Sequence, residues 1–185
     1  VAGVAPASLT GNTSDAVKAP GTGIPSGPNP GIRIAGDTIA DPFVTGPLPF
    51  TATGTTAGFF HDYDEVCPYS GSLAPDVVYA FTGTPGIVSV SADLCLSSYD
   101  TKIFVYDNAY TPGTPLACND DYWFAAPCYT YSSFVTFPTA PGHTYYIVVD
   151  GYGSQSGSYN LAITDGGIVL PSGACCDASG GCTIT

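Results

Sequence analysis

The amino-acid sequence predicts an all-β protein: an antiparallel β-sandwich of jelly-roll-like pattern with an extended N-terminal arm. β-Branched and aromatic residues are prominent, and they suit a pleated, half-buried surface. The 23 Gly and 17 Pro supply frequent turns. Strong helix formers are scarce, and no stretch keeps helical spacing of apolar residues without a Gly or Pro in it. A chain of 185 residues is long enough for one core of this kind.

Seven short strands are predicted between these turns. Residues 101–107, for example, set Ile103 and Val105 on one face and Phe104 on the other. The predicted strands cover residues 48–56, 76–82, 86–93, 101–107, 132–138, 143–150 and 158–164. Short strands at this spacing, without helices between them, are typical of an antiparallel sandwich or jelly roll.

The first 36 residues differ in composition from the rest. They hold five Pro and seven Gly but no aromatic residue and no Cys. Such a segment cannot bury enough apolar surface to offset the entropy it loses on ordering. It is a disordered linker, an arm folded over its own domain, or an arm docked on a neighbouring subunit. We expect the docked arm, because Pro favours an extended backbone and Gly lets two backbones approach closely.

The remaining chain divides into two parts. Residues 37–170 carry the predicted strands and form the sandwich domain. Residues 171–185 are a short Cys-rich segment, which we expect to be the start of an element that is incomplete here. Its three cysteines, Cys175, Cys176 and Cys182, are an odd number, so at least one has no partner within the segment.

Charge argues against nucleic acid as a partner, and hydropathy argues against a membrane span. Fifteen acidic residues against three basic ones give a formal net charge of −12. Nucleic-acid backbones are bound by Lys and Arg clusters, which this chain lacks, so nucleic acid is not an expected partner. No apolar run reaches the length of a membrane span. An acid-rich surface attracts cations, which makes calcium the natural cofactor candidate.

Four cysteines lie inside the predicted sandwich and indicate an oxidising, extracellular compartment. Cys67 and Cys95 flank the strands at 76–82 and 86–93, which favours a Cys67–Cys95 disulfide. Cys118 and Cys128 bracket one loop, which favours a second disulfide between them. The pairings 67–118 with 95–128, and 67–128 with 95–118, stay open at this point.

Five segments carry a family resemblance, taken as an ordered set. They are DVVYAF (76–81), SYDTKIFVYD (98–107), LACNDD (116–121), GHTYYIVVDGYG (142–153) and GSYNLAI (157–163). Over about residues 60–165 the chain resembles the bacterial pre-peptidase C-terminal domain family. The resemblance implies a jelly-roll-like sandwich with a non-catalytic accessory role. Some relatives, notably collagen-binding modules, bind Ca²⁺ and extracellular matrix.

Candidate catalytic groups are few, so no enzyme is expected. The chain has two His, His61 and His143, and the segment 153–157 has Gln155 where a nucleophile elbow needs its Ser. Its many carboxylates lie in Asp-rich loops, which more often bind cations or stay solvated than carry out acid/base catalysis.

Two acidic loops are candidates for a cation site. Asn119, Asp120 and Asp121 cluster hard oxygen ligands, and Asp100 begins a strand that we expect nearby. Residues 62–65 are a second candidate. Neither loop has the EF-hand spacing. The alternative for both is a turn in which Asp and Asn bond their own backbone, and we favour it for residues 62–65.

Aromatic residues crowd the loop that follows the first acidic candidate. Tyr122, Trp123 and Phe124 form a candidate binding surface, with Tyr129 and Tyr131 close behind in sequence. Exposed, these rings form a stacking platform for sugars or an interface anchor; buried, they plug the end of the sandwich. Asn12 begins a formal glycosylation sequon in the arm.

Two functions are compatible with these features. The first is a structural subunit of an extracellular filament or surface layer that self-associates through its arm by strand addition. The second is a Ca²⁺-assisted glycan- or matrix-binding module of a larger secreted protein. We expect the first, because the arm has no core of its own.

Overall fold

The computed structural model describes residues 33–67 and 72–167, with the backbone alone of 174–176 and 182–184. These residues form eleven strands and no helix, and so no helix that would cross a membrane. The strands are β1 (Phe43–Val44), β2 (Phe50–Thr55), β3 (Val77–Thr82), β4 (Ser89–Asp93), β5 (Thr101–Asp107), β6 (Ala117–Asn119), β7 (Phe134–Pro138), β8 (Thr144–Gly151), β9 (Ser158–Asp165), β10 (Ala174–Cys176) and β11 (Cys182–Ile184).

Nine strands form two sheets that pack on each other. The five-stranded sheet has the order β1-β3-β8-β5-β6, and the four-stranded sheet the order β2-β9-β4-β7. All pairings are antiparallel except that of β1 with β3. The predicted all-β sandwich is therefore confirmed, as is each of the seven predicted strands. Within these two sheets the sequence missed β1 and β6, which are only two and three residues long; β10 and β11 outside the sheets were not predicted either.

The main core lies between the sheets and follows the alternation of the strands. Val77 and Ile103 come from the first sheet and Val90 and Leu161 from the second, and all four are fully buried. Tyr79 and Tyr159 join the sheets by a hydrogen bond of 2.7 Å between their hydroxyls. This pattern is what period-two alternation predicts when one face of each sheet meets the other.

A second cluster covers the outer face of the five-stranded sheet. Phe104, Tyr106 and Val148 point away from the main core, yet all are buried against Tyr63 and Cys67. The segment before β3 lies over this face and places apolar side chains on it. Strand β5 is therefore buried on both faces along nearly all its length, not on one face.

The first described residues already belong to the sandwich. Gly36 accepts a hydrogen bond from the Val78 amide at 2.7 Å, and the Asp37 carboxylate accepts one from the Phe60 amide at 2.9 Å. Asp37 is fully buried. The predicted arm at residues 1–36 lies almost entirely outside the described residues, as does the sequon at Asn12.

The disulfides pair differently from the favoured prediction. Cys67 bonds Cys118 with Cα atoms 6.0 Å apart, and Cys95 bonds Cys128 with Cα atoms 4.4 Å apart. The predicted Cys67–Cys95 and Cys118–Cys128 pairs are wrong, and one of the open alternatives is correct. The error came from treating residues 76–82 and 86–93 as paired strands, whereas β3 and β4 lie in opposite sheets.

The C-terminal Cys-rich segment contributes one element to the described chain. Strands β10 and β11 pair antiparallel, with Cys176 opposite Cys182 in register. The pairing of Cys175, Cys176 and Cys182 lies outside the described side chains.

Candidate functional site

The predicted cation ligands meet where β5 begins and β6 ends. The antiparallel register sets Ile103 opposite Asn119, so Asp100 before β5 comes close to Asp120 and Asp121 after β6. One carboxylate oxygen from each of these three Asp lies within 4.8 Å of the others. The sequence-based cluster of Asp100, Asp120 and Asp121 is thus brought together by strand pairing.

Asp120 is the deepest member of this cluster. Its residue is 1% exposed, and neither carboxylate oxygen has a hydrogen-bond partner. Its backbone carbonyl accepts a hydrogen bond from the Ser133 hydroxyl, which fixes the chain at this point. Burial, then the charges of Asp121 and Asp100, raise the pKa of Asp120 to about 7, although the positive charge of Lys102 opposes them.

Asp100 and Asp121 form the outer part of the cluster. The Asp100 Oδ1 atom is buried without a partner, while Oδ2 accepts a long hydrogen bond of 3.4 Å from Gln155. Burial and the charge of Asp121 raise the pKa of Asp100 to about 6. Burial also raises the pKa of Asp121. Burial and mutual repulsion therefore oppose ionisation of all three carboxyl groups at once.

Asn119 does not line this pocket. It is the last residue of β6, and its side-chain oxygen accepts a hydrogen bond of 3.1 Å from the Phe134 amide at the start of β7. Its side chain therefore ties the edges of the two sheets together. Of the four predicted ligands, the structure groups the three aspartates.

Two tyrosines form the walls of the acidic pocket. The pocket has a volume of about 320 Å³ and is lined by Asp100, Asp120, Asp121, Tyr131 and Tyr152. Tyr152 follows β8 in a tight turn that closes only because residue 151 is Gly: a Cβ there would lie 2.2 Å from the Gln155 carbonyl oxygen. Tyr152 was not predicted from the sequence as a pocket residue. The available signal was its position in the turn after β8.

The loop that carries Tyr131 is held firmly. The Cys95–Cys128 disulfide anchors it, and the Tyr131 amide donates to the Trp123 carbonyl at 2.7 Å. Tyr131 has a φ of 71°, a left-handed conformation that is uncommon for an aromatic residue. An unfavourable backbone conformation of this kind persists only where surrounding contacts impose it. The contacts of the loop therefore fix the position from which the Tyr131 side chain extends.

The predicted aromatic surface divides into an anchor and an exposed rim. Trp123 is half-buried and donates its indole N–H to Asp93 at 3.0 Å. Tyr122 packs on Phe134 with ring centroids 4.7 Å apart and stays 48% exposed. Phe124 is 61% exposed and meets Tyr131 edge to face at 5.9 Å. Trp123 is therefore packed into the structure, whereas the rings of Tyr122 and Phe124 face solvent.

The second acidic loop, residues 62–65, has protein partners. Asp62 forms a two-pronged ion pair with Arg33, and Asp64 lies 3.8 Å from the Lys102 ammonium. Glu65 accepts hydrogen bonds from the Tyr106 hydroxyl and the Gly113 amide, each at 2.8 Å. These carboxylates are matched by distant parts of the chain and not by their own turns. The loop therefore stabilises the segment that packs on the outer apolar cluster.

The two histidines lie away from the acidic pocket. His143 pairs with Asp107 at 2.9 Å at the start of β8, and His61 lies 3.9 Å from the buried Asp76. Neither lines the pocket.

The fold and the pocket define a disulfide-bonded, all-β sandwich module with an acidic, tyrosine-walled pocket at one end of its strands. Comparison of the chain with models of known protein families, with curated proteins and with solved structures finds no match. The two disulfides indicate an oxidising environment.

Proposed function

We propose that this chain is a non-catalytic extracellular binding module that holds Ca²⁺ between Asp100, Asp120 and Asp121 and presents it to a hydroxyl-rich ligand. The observation that carries the proposal is the burial of Asp120 with both carboxylate oxygens unpartnered. A buried carboxylate without donors is costly unless it is neutralised or paired. A cation between the three aspartates removes that cost.

The donor set fits a hard divalent ion. Ca²⁺ takes six to eight oxygen ligands, and carboxylates bind it through one or two oxygens each. Three carboxylates supply at most six oxygens, and solvent reaches the pocket, so coordination positions remain for ligand hydroxyls. Thiol and imidazole ligands do not line the pocket, which disfavours zinc.

The tyrosine walls and the exposed rim favour a carbohydrate ligand. Tyr131, Tyr152 and Phe124 offer ring faces and edges beside the pocket, and aromatic rings combine a large apolar surface with little loss of conformational freedom on binding. The resemblance to the pre-peptidase C-terminal domain family supports an accessory role on a secreted protein. Extracellular matrix is the alternative ligand that this resemblance suggests.

Calorimetric titration of the full chain with CaCl₂ tests the cation site. We expect saturable heat with one ion per chain, its loss in Asp120→Asn, and its retention in the control Asp165→Asn, an exposed carboxylate at the end of β9. Absence of heat in the wild type, or equal heat in Asp120→Asn, would overturn the proposal.

Ligand binding is tested separately on a glycan array, in Ca²⁺ and in EDTA. We expect Ca²⁺-dependent retention of a set of glycans, and its loss in Phe124→Ala with Ca²⁺ heat unchanged. Retention on collagen and on no glycan would identify matrix as the ligand. Equal binding in EDTA would exclude a role for the cation in recognition.

A further inference from the structure

One edge of the sandwich is open along a complete strand of the described chain. β2 is the outermost strand of the four-stranded sheet and pairs only with β9. Its sequence, FTATGT, contains no charged residue and no Pro. Natural proteins usually protect an edge of this length with Lys, Pro or a bulge, because unpaired backbone groups recruit another strand.

The register shows which backbone groups point outward. The Thr56 amide donates to the Gly157 carbonyl at 3.1 Å, one step beyond the Thr55–Ser158 pair. Hydrogen-bonded and non-hydrogen-bonded pairs alternate in an antiparallel ladder. The N–H and C=O groups of Thr51, Thr53 and Thr55 therefore point away from β9, and their side chains are exposed.

The other edges are shorter or occupied. At one side of the sandwich β6 and β7 are joined by the Asn119–Phe134 hydrogen bond. At the other side the edge of β3 is covered, because the Val78 amide donates to Gly36 and the Thr45 amide donates to the Ala80 carbonyl. Among the described strands, β2 is the longest edge strand, and three of its six residues present their backbone groups outward.

An apolar groove lies beside the chain segment that leads into β2. It has a volume of about 420 Å³, and its apolar lining includes Pro47, Leu48, Phe81 and Ile87. It lies where the chain leaves β1 and crosses to β2, close to the first residue of the open strand. An edge that gives main-chain hydrogen bonds beside a pocket that accepts apolar side chains is the arrangement used in strand addition.

We infer that the β2 edge and this groove bind residues 1–32 of a second copy of the chain. Charge favours this segment over a second acidic sandwich domain. Residues 1–32 contain one Lys and one Asp, so the whole net charge of −12 lies on the remainder. Two such domains repel each other, whereas the neutral segment can approach an acidic neighbour without added repulsion.

The length and composition of residues 1–32 also suit binding to a second copy of the chain. Thirty-two residues reach up to about 105 Å when extended. A domain of about 150 residues has a radius of gyration of only about 15 Å, so the segment can reach a neighbouring copy. Its five Pro favour extended backbone, which reduces the entropy lost on docking. Repetition of this head-to-tail contact builds an open filament when the rotation does not close a ring.

Cross-linking of the full chain tests the inference directly. A photoreactive amino acid replaces Thr53, and light and ¹⁵N-labelled copies are mixed before irradiation. We expect cross-links from position 53 to residues 1–32 that join light to heavy chains. Cross-links confined to one isotope would place the segment on its own domain and overturn the inference. Links from β2 to β2 of another copy, or no interchain link, would overturn it as well.

Two full-length variants at position 53 isolate the contribution of the outward-facing Thr53 N–H to association. Thr53→Pro removes the outward N–H and suits an edge strand, whereas Thr53→Ala removes the same side chain and keeps the N–H. We expect sedimentation to show association about tenfold weaker in Thr53→Pro than in Thr53→Ala. Equal association of two variants with equal melting temperatures would contradict the inference. If Thr53→Pro does not fold, hydrogen exchange at the Thr51 and Thr53 amides replaces it: protection must rise with protein concentration, and unchanged exchange overturns the inference.

Discussion

Asp150 on β8 lies opposite Asp76, one step beyond the Val77–Val149 pair, and both carboxyl groups are completely buried. The Asp62 and Tyr63 amides donate to Asp76 at 2.6 and 3.0 Å, and the Ser72 hydroxyl donates to Asp150 at 3.3 Å. Burial raises the pKa of both groups, and the charge of Asp150 adds to this at Asp76. One oxygen of each carboxyl, Asp76 Oδ1 and Asp150 Oδ2, is buried without another hydrogen-bond partner. One shared proton accounts for that arrangement.

This pair makes stability depend on pH in a definite direction. The folded chain keeps protons that the unfolded chain releases near pH 4, so the stabilisation is complete below pH 4. It is lost as the pH rises through the folded-state pKa, about 8 for Asp150. We expect the free energy of unfolding in EDTA to fall over this interval, with a slope of about 1.4 kcal/mol per pH unit for each retained proton. Urea titrations across the interval measure it.

Substitution of one carboxyl provides the control. Asp150→Asn removes the titrating partner, so its stability must depend less steeply on pH than that of the wild type. Asp41→Asn changes an exposed carboxylate and must leave the slope unaltered. Unfolding free energy that rises between pH 4 and pH 8 in the wild type would contradict the shared proton.

The fold was predictable because its signal is local. Alternation in segments such as residues 101–107 follows from side chains on opposite faces of a strand, and the prolines and glycines mark the turns. The choice of sheet for each strand is not local. β3 and β4 are neighbours in sequence but lie in opposite sheets, and treating them as a pair favoured the wrong Cys67–Cys95 disulfide.

The acidic pocket was predictable only in part for a similar reason. Asp120 and Asp121 are adjacent in sequence, and Asp100 was expected near them because it begins a strand that could neighbour their loop. In the structure the pairing of β5 with β6, which was not predicted, brings the three carboxyl groups together. Tyr152 enters from the turn after β8, far along the chain, so only the tertiary fold brings it to the pocket. The outer cluster around Phe104 was missed because nothing in β5 itself shows which segment covers that face.

The disulfide pairing leads to a prediction for peptide mapping. Chymotryptic digestion without reduction must release peptides that link Cys67 to Cys118 and Cys95 to Cys128. The double variant Cys95→Ala/Cys128→Ala must lose about 2–4 kcal/mol of stability, because the closed loop restricts the unfolded chain. Peptides that link Cys67 to Cys95 would show that the disulfide pairing in the structure is wrong.

Trp123 and Phe124 must differ in their effect on stability. Trp123→Phe removes the hydrogen bond to Asp93 and must cost about 1 kcal/mol, since the acceptor keeps its bond from the Cys95 amide. Phe124→Ala must stay within about 0.5 kcal/mol of the wild type, because the ring is mostly exposed. Urea unfolding of the two variants distinguishes the anchor from the rim. Equal losses would mean that both rings are structural.

The rate of trypsin cleavage after Arg33 should depend on the ion pair between Arg33 and Asp62. Of the three basic residues, Lys102 is buried in β5, and Arg33 is held by Asp62 and lies over the Phe60 ring. Cleavage after Arg33 therefore requires local opening. We expect Asp62→Ala to accelerate it about tenfold, since hydrogen bonds between charged groups are stronger than average. Mass spectrometry of timed digests measures the rate, and Asp41→Ala is the control. Equal rates in Asp62→Ala and wild type would mean that the Arg33–Asp62 ion pair does not limit cleavage.

Ca²⁺ should stabilise the protein more at pH 8 than at pH 5. Without a cation the pKa of Asp120 is raised to about 7 and that of Asp100 to about 6, so at pH 5 both sites hold protons that compete with the ion. At pH 8 the carboxylates are ionised, and binding to the folded state alone contributes about 2.7 kcal/mol at an ion concentration one hundred times Kd. Thermal melts in CaCl₂ and in EDTA at the two pH values give the comparison, and Asp120→Asn must show no Ca²⁺ shift at either. A shift as large at pH 5 as at pH 8 would mean that the ion binds elsewhere, because protons on Asp100 and Asp120 must leave before these carboxylates can hold it.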